Sequence, residues 1–329
     1  MSAPPVGETT GRRSALRAAG RSAGVLLPVV LIASFLTFLL GAATGQDPAA
    51  NVLGEVARPE DIERMQAVFG LDRPILVRYV DWLSHAAHGD LGVSWFSNIP
   101  VTESLFQRLP VTLSVAALAL LISVVVGGTL GITAALRQGR LADRLITIVS
   151  AVFATIPGFV ASIGLVLAFA VLVPVFPSGG YVPPGVDVGL WLSSITLPAI
   201  ALSLDTTADI ARQLRTGLVD ALGENYVIGA RMRGLPQWRV VTVHALRNGA
   251  GPAVAQVGTH IPRLLGGAVI TEAVFALPGL GMLTREAALR GDVPVVQGTL
   301  LLSILVVVAS SAAINALLYV LRPTARRTA

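Results

Sequence analysis

The chain has 329 residues, 53% of them hydrophobic and only 13% charged, a balance too apolar for an ordinary soluble domain and suited to a chain dissolved in lipid. Its net charge of +5 would suggest nucleic acid in a soluble protein, but the arginines cluster in the segments between hydrophobic spans, so membrane topology accounts for them and nucleic acid is not an expected partner. There is no cysteine, which excludes disulfides, thiolate metal sites and cysteine nucleophiles, and no lysine, so the chain has no P-loop and any ATP that drives it is bound by another chain.

Residues 1–24 read as a basic tail with Arg12, Arg13, Arg17 and Arg21, followed by an apolar run over 25–43. A signal peptide opens in the same way. The run is long enough to span, however, and it ends at Gly41-Ala-Ala-Thr-Gly without a small-x-small cleavage site, so it reads as a retained first transmembrane helix. Residues 44–110 are long and polar and read as a folded helical cap. Pro59 opens a helix with Glu60 and Asp61 in its first turn, where the helix dipole favours them, and Ile62, Met65, Val68 and Phe69 recur at helical spacing. A second helix follows Pro74, with Ile75, Val77, Tyr79, Val80, Trp82 and Leu83 giving it a broad apolar surface. Trp82, Trp95 and Phe96 suit either the headgroup boundary or the interior of the cap.

Residues 111–321 read as a transmembrane core of five further spans, over 111–136, 146–173, 190–204, 249–276 and 300–321, which makes six in all. The fourth and fifth are weaker, being interrupted by prolines, polar groups and Arg263. Arginine concentrates in the tail 1–24, the short loop 137–144, the loop 209–248 and the tail 322–329. The positive-inside rule therefore puts both termini in the cytoplasm and the cap outside the membrane.

The loop 209–248 is too long and too periodic for a connector. Leu218, Leu222, Tyr226 and Ala230 fall on one helical face, Arg231 and Arg233 flank it, and Gly234 closes it as a C-cap would. The apolar side of such an element needs a partner, either a protein surface or the inner leaflet.

Charges at membrane depth usually face a bundle interior or a water-filled path. Asp205, His260, Arg263 and Glu272 are the candidates here. Together they would make a polar translocation path able to hold a zwitterionic peptide; alternatively, Asp205 and Arg263 neutralise one another, or the span boundaries leave these groups in water. Pro157, Pro198, Pro252 and Pro262 permit kinks, and Gly127, Gly128, Gly131, Gly266 and Gly267 permit close helix approach, within the chain or against another.

The segment Glu224-Asn-Tyr-Val-Ile-Gly-Ala-Arg-Met-Arg-Gly-Leu resembles the EAA loop of ABC importer permeases, in the form found in the dipeptide/oligopeptide (peptide/nickel) permease family. The match falls on Glu224, Ala230, Arg231 and Gly234, with His244-Ala-Leu-Arg-Asn as the continuation, and these four together with Tyr226 are the expected ATPase-coupling residues; Met232 stands where the family usually has a small residue and Arg233 where it usually has lysine. Phe69-Gly-Leu-Asp-Arg-Pro, Arg78-Tyr-Val-Asp-Trp-Leu and Gly89-Asp-Leu-Gly-Val-Ser resemble the outer segment of the first, B-type permease of that family. Glu272-Ala-Val-Phe-Ala-Leu-Pro-Gly-Leu-Gly and Asp292-Val-Pro-Val-Val-Gln-Gly resemble its late motifs, while the family's closing Asp-Pro-Arg is missing after Asn315.

The resemblance implies an all-α integral membrane protein of the ABC importer permease fold, with a coupling helix that docks on a cytoplasmic ATPase. It also implies a second, homologous permease, two ATPase subunits that bind ATP and Mg, an extracellular or periplasmic solute-binding protein, and a bacterial cytoplasmic membrane as the location. The expected function is import of di- or oligopeptides, with glutathione or chelated nickel as alternative solutes. No cofactor and no catalytic group are expected in this chain. An ion-coupled secondary transporter would use Asp205, Arg263 or Glu272 as relay groups, but such proteins commonly carry internal repeats and none is evident. A membrane-embedded enzyme would need convergent catalytic groups, and His244 and His260 have no evident nucleophile partner.

Overall fold

The computed structural model describes residues 27–41, 43, 47–54 and 56–321, the side chains of 315–321 excepted. The basic tail with its four arginines and the closing segment 322–329 lie outside the described residues. Among those described the protein is helical, with one isolated β-bridge between Val93 and Pro100. It divides into two compact units, one made by the chain up to Ser104 with Glu286–Ile304, the other by Leu105–Arg285 with the chain from Leu305 onward.

The first unit contains α1 (Leu27–Gly41) and the cap helices α2 (Pro48–Leu53), α3 (Pro59–Val68) and α4 (Ile75–Ala87). Short polar signals set their starts. Asp47 accepts the amides of Ala49 and Ala50 ahead of Pro48, Pro59 occupies the first turn of α3 with Glu60 and Asp61 beside it, and Pro74 precedes α4. Helix α4 seats on α1 through Tyr79, which is buried between the edges of Phe35 and Phe38 and donates to the Leu31 carbonyl at 3.1 Å. The other aromatics turn inward too. Trp95 stacks on Phe69 with centroids 5.0 Å apart, and Arg290 lies over Phe96, so packing of the cap, the second of the two sequence readings, accounts for them. Asp292, beyond the C-terminal end of α13 (Leu280–Arg290), accepts the Ser94 hydroxyl at 2.6 Å and the Trp95 amide at 3.3 Å. Burial pushes its carboxyl above the ordinary range in spite of those donors.

The second unit is built around α8 (Val188–Leu222), which packs against α6 (Leu141–Thr155), α7 (Gly158–Val166), α11 (Leu246–Gly249) and α12 (Gly251–Val274). Helix α5 (Val101–Leu136) crosses α8 at Gly127 and Gly131, where a Cβ would meet the Thr207 and Ala211 carbonyls at 2.7 and 2.8 Å. A second close crossing sets Gly217 of α8 against Gly249. These glycines therefore serve packing inside the chain, whereas Gly128 and Gly266 face open space.

Helices α5, α8 and the Val293–Ile314 part of α14 (Val293–Leu321) are long and apolar enough to cross a membrane, and α6 with the helical stretch Gly158–Leu172, which contains α7, meets that test only as a pair, bent by 100° at the break between them. The described part of α1 is apolar but shorter, and α12 carries Gln256, His260, Arg263 and Glu272, which hold its mean hydropathy down. Each of the six expected spans thus coincides with helix, but the boundaries differ. Helix α5 starts at Val101, inside the expected cap, because Pro110 removes one backbone bond without ending the helix. Helix α8 runs on to Leu222 through about a third of the expected loop, because Ala211, Leu214, Leu218 and Ala221 keep a buried stripe going at helical period. Of the four prolines expected to kink spans, Pro157 sits at the sharp break, Pro252 lies harmlessly in the first turn of α12, and Pro198 and Pro262 lie inside continuous helices.

Candidate functional site

Two places carry the expected site residues. The first is the short helix α9 (Asn225–Met232). Gly223 ends α8, and Glu224 then takes an extended conformation (φ −73°, ψ 145°), which resets the helical phase. Leu218, Leu222, Tyr226 and Ala230 therefore do not form one face. Instead α9 buries Val227 and Ala230 completely, in a core shared with Leu214, Leu218, Val240 and Ala253. It turns Tyr226, Ile228 and Met232 outward, with Met232 83% exposed, and Trp238 just beyond, in the single turn α10 (Gln237–Arg239), is 68% exposed. Glu224 and Arg231 are exposed as well. Gly234 has φ +73°, donates to the Arg231 carbonyl at 2.9 Å, and closes the helix as a left-handed C-cap. The sequence reading chose Ala230 for docking. The structure makes it an anchor, and the free apolar surface belongs to residues at the phase opposite the buried pair.

The second place is a cavity of about 370 Å³ at the break between α6 and α7. Thr155 and Pro157 line it from the break, Leu202 and Asp205 from α8, and Arg263 and Thr271 from α12. Asp205 and Arg263 are exposed to this space, and neither has an ion pair among the described residues, so the two do not neutralise one another. One Asp205 oxygen accepts the amide and hydroxyl of Thr206 at 2.7 and 3.2 Å.

His260 and Glu272, the other two expected path residues, do not reach this cavity. His260 is fully buried and braces α12 to α8, with Nδ1 3.1 Å from the Thr206 hydroxyl and Nε2 3.0 Å from Asp209. The single Thr206 hydroxyl proton is shared between two acceptor directions, Asp205 and Nδ1, so this contact joins the His260 brace to the Asp205 carboxylate. Asp209 also binds Arg212 one turn on.

Glu272 is likewise fully buried. It accepts the Thr112 hydroxyl at 2.6 Å and the Met282 amide at 2.9 Å, while Thr112 accepts the Leu280 amide at 2.8 Å. This bridge ties α5 and α12 to the tight turn before α13, in which Ala276 holds φ 49°. A Cβ at Gly279 would collide with the Glu272 carboxylate, so the Pro-Gly-Leu-Gly motif is shaped around that group. Neither bridge was legible in the sequence, because the partners lie 51, 54 and 160 residues apart. Arg215 of α8 clasps the buried Asp143 carboxylate through Nε and Nη2, the latter at 2.7 Å, and Asp143 also accepts the Gly139 amide at 2.9 Å, which fixes the turn that precedes α6.

Comparison with known proteins gives a consistent picture. Residues 127–327 match the family described as the binding-protein-dependent transport system inner membrane component, and residues 17–116 match the N-terminal family of the same kind of membrane component. The chain is 31% identical to the dipeptide transport system permease protein DppB of Escherichia coli (strain K12), over 93% of this chain and 97% of that one. It is 39% identical to a Brucella abortus (strain 2308) protein named for a peptide transport system permease, over 84% of this chain and 88% of that one. Among solved structures, an inward-facing form of the MetNI methionine ABC transporter aligns with a TM-score of 0.55 at 18% identity, covering 67% of this chain and 97% of that chain, which supports the fold alone.

Proposed function

Since the chain belongs to the binding-protein-dependent transport system inner membrane component family, we propose that it is the membrane-spanning permease of an ATP-driven ABC importer of di- or oligopeptides. Relatives named for peptide and dipeptide transport, matched over most of both chains, support the solute class. In this reading the permease pairs with a second, similar permease, receives solute from a binding protein, and is driven by two ATPase subunits that bind ATP and Mg. The absence of lysine from the whole chain accords with hydrolysis by those partners. Both termini and α9 face the cytoplasm of a bacterial inner membrane, as the arginine distribution argues.

The observation that carries the coupling role is the two-sided character of α9. Val227 and Ala230 fix it to the long helix α8, while Tyr226, Ile228 and Met232 stand free. Closure of the ATPases would move α9, and α8 would carry that motion rigidly to the cavity at Asp205. Glu224, Tyr226, Arg231 and Gly234 belong to this docking element, and Asp205 and Arg263 to the solute path.

Extraction in mild detergent followed by co-purification tests the assembly: ATPases, a second permease and a binding protein should come with the chain, and a lone, ATP-independent transporter would refute it. Gly234→Val tests the cap. Open space around Gly234 means the substitution costs about 1–2 kcal/mol through its left-handed backbone alone. ATP-dependent uptake should therefore fall several-fold with normal amounts of the subunit in the membrane, and Gly234→Asn should fall least.

A further inference from the structure

We propose that the cavity at the α6–α7 break is a two-ended site for a zwitterion, with Arg263 receiving the carboxylate and Asp205 the ammonium group of a short peptide. The proposal rests on the reading that this chain forms part of the solute path, and adds to it that the permease itself reads both peptide termini.

The geometry favours this class of ligand over others. A guanidinium and a carboxylate sit on two different helices, open into one cavity and leave each other unpaired. Ionised groups at membrane depth are costly and persist where something polar meets them. A simple anion would find Arg263 but be repelled by Asp205, a cation would meet the reverse, and a neutral solute would need neither. Only a ligand with both charges satisfies both ends.

The rest of the wall fits the same guest. A volume of about 370 Å³ is at the small end of ligand sites, which run from about 300 to 1,000 Å³. Leu202, Leu264, Ile270 and Phe159 supply apolar wall for side chains. Asp205 is also held in place from behind, since Thr206 grips one of its oxygens and is itself tied to His260, which leaves the other carboxylate oxygen for a ligand. Thr155, Pro157 and Gly158 bring the end of one helix and the start of the next to the cavity wall.

The test uses the complete importer, with its ATPases and binding protein, reconstituted in vesicles. Uptake of dialanine is compared with that of N-acetyl-dialanine and dialanine amide. Each variant is measured with the same binding protein as the wild type, so a changed preference belongs to the permease. Arg263→Gln should narrow the preference for dialanine over its amide about fivefold or more and leave the preference over the N-acetyl form unchanged, and Asp205→Asn should do the reverse. Arg263→Lys, which keeps a cation, should restore most of the first preference. Variants that keep both preferences at their wild-type values overturn the two-ended site while leaving the permease reading intact. A wild-type importer with no ATP-dependent uptake of dialanine or of longer alanine peptides overturns that reading and this inference together.

Discussion

Glu272→Ala is expected to destabilise the subunit by about 3–5 kcal/mol, because it leaves the Thr112 hydroxyl and the Met282 amide unpaired and opens a cavity where the carboxylate was. The loss is large because the group is fully buried, so no solvent water replaces it. It should appear as a sharp fall in the amount of subunit in the membrane and in the unfolding temperature of the detergent-extracted protein. Gly279→Ala should behave similarly for the opposite reason, since its new methyl group collides with the same carboxylate. The double variant gives the sharper test. Once Glu272 is shortened the methyl group has room, so Glu272→Ala with Gly279→Ala should cost clearly less than the sum of the two single changes. Strict additivity would mean that the glycine is needed for backbone reasons unrelated to Glu272.

This bridge also marks the limit of what the sequence discloses. Pro59, Pro74 and Gly234 act on the backbone within a few residues, and each stands where its local chemistry puts it: two at helix starts and one at a left-handed helix end. The apolar runs likewise report where helices lie, three of which are long and apolar enough to cross a membrane on their own, because length and hydropathy are local properties. Burial of a charge was legible only as an anomaly. Asp205, His260, Arg263 and Glu272 look alike in the sequence, as polar groups in apolar surroundings, yet two line a cavity and two are consumed by hydrogen bonds inside the bundle. What separates them is a partner on another helix: Thr206 and Asp209 for His260, Thr112 for Glu272. No periodicity within a single segment encodes that. The phase of α9 escaped for a related reason. A continuous helical wheel from Leu218 to Ala230 ignores the extended residue Glu224, and one non-helical residue is enough to exchange the buried and exposed faces.

That exchange of faces decides which substitutions separate coupling from folding. Met232→Asp should abolish ATP-dependent uptake, at least about tenfold, while the subunit accumulates normally, because Met232 is 83% exposed and touches little of its own chain. A buried apolar anchor at a protein interface is worth about 2 kcal/mol or more when lost, roughly a thirtyfold weakening, and a new carboxylate forced into the same pocket adds a desolvation cost. Ala230→Asp, only two residues away, should fail differently. Its side chain enters the core beside Leu218 and Val240, so the subunit itself should be lost. Co-purification from detergent distinguishes docking on an ATPase from the other partner open to an amphipathic surface, the inner leaflet. If α9 docks, Met232→Asp loses the ATPases while the spans remain in the membrane. If Tyr226, Ile228, Met232 and Trp238 rest on lipid instead, the ATPases stay bound in the variant, and the coupling surface must be sought elsewhere, first at the exposed turn Arg137–Arg140 ahead of α6.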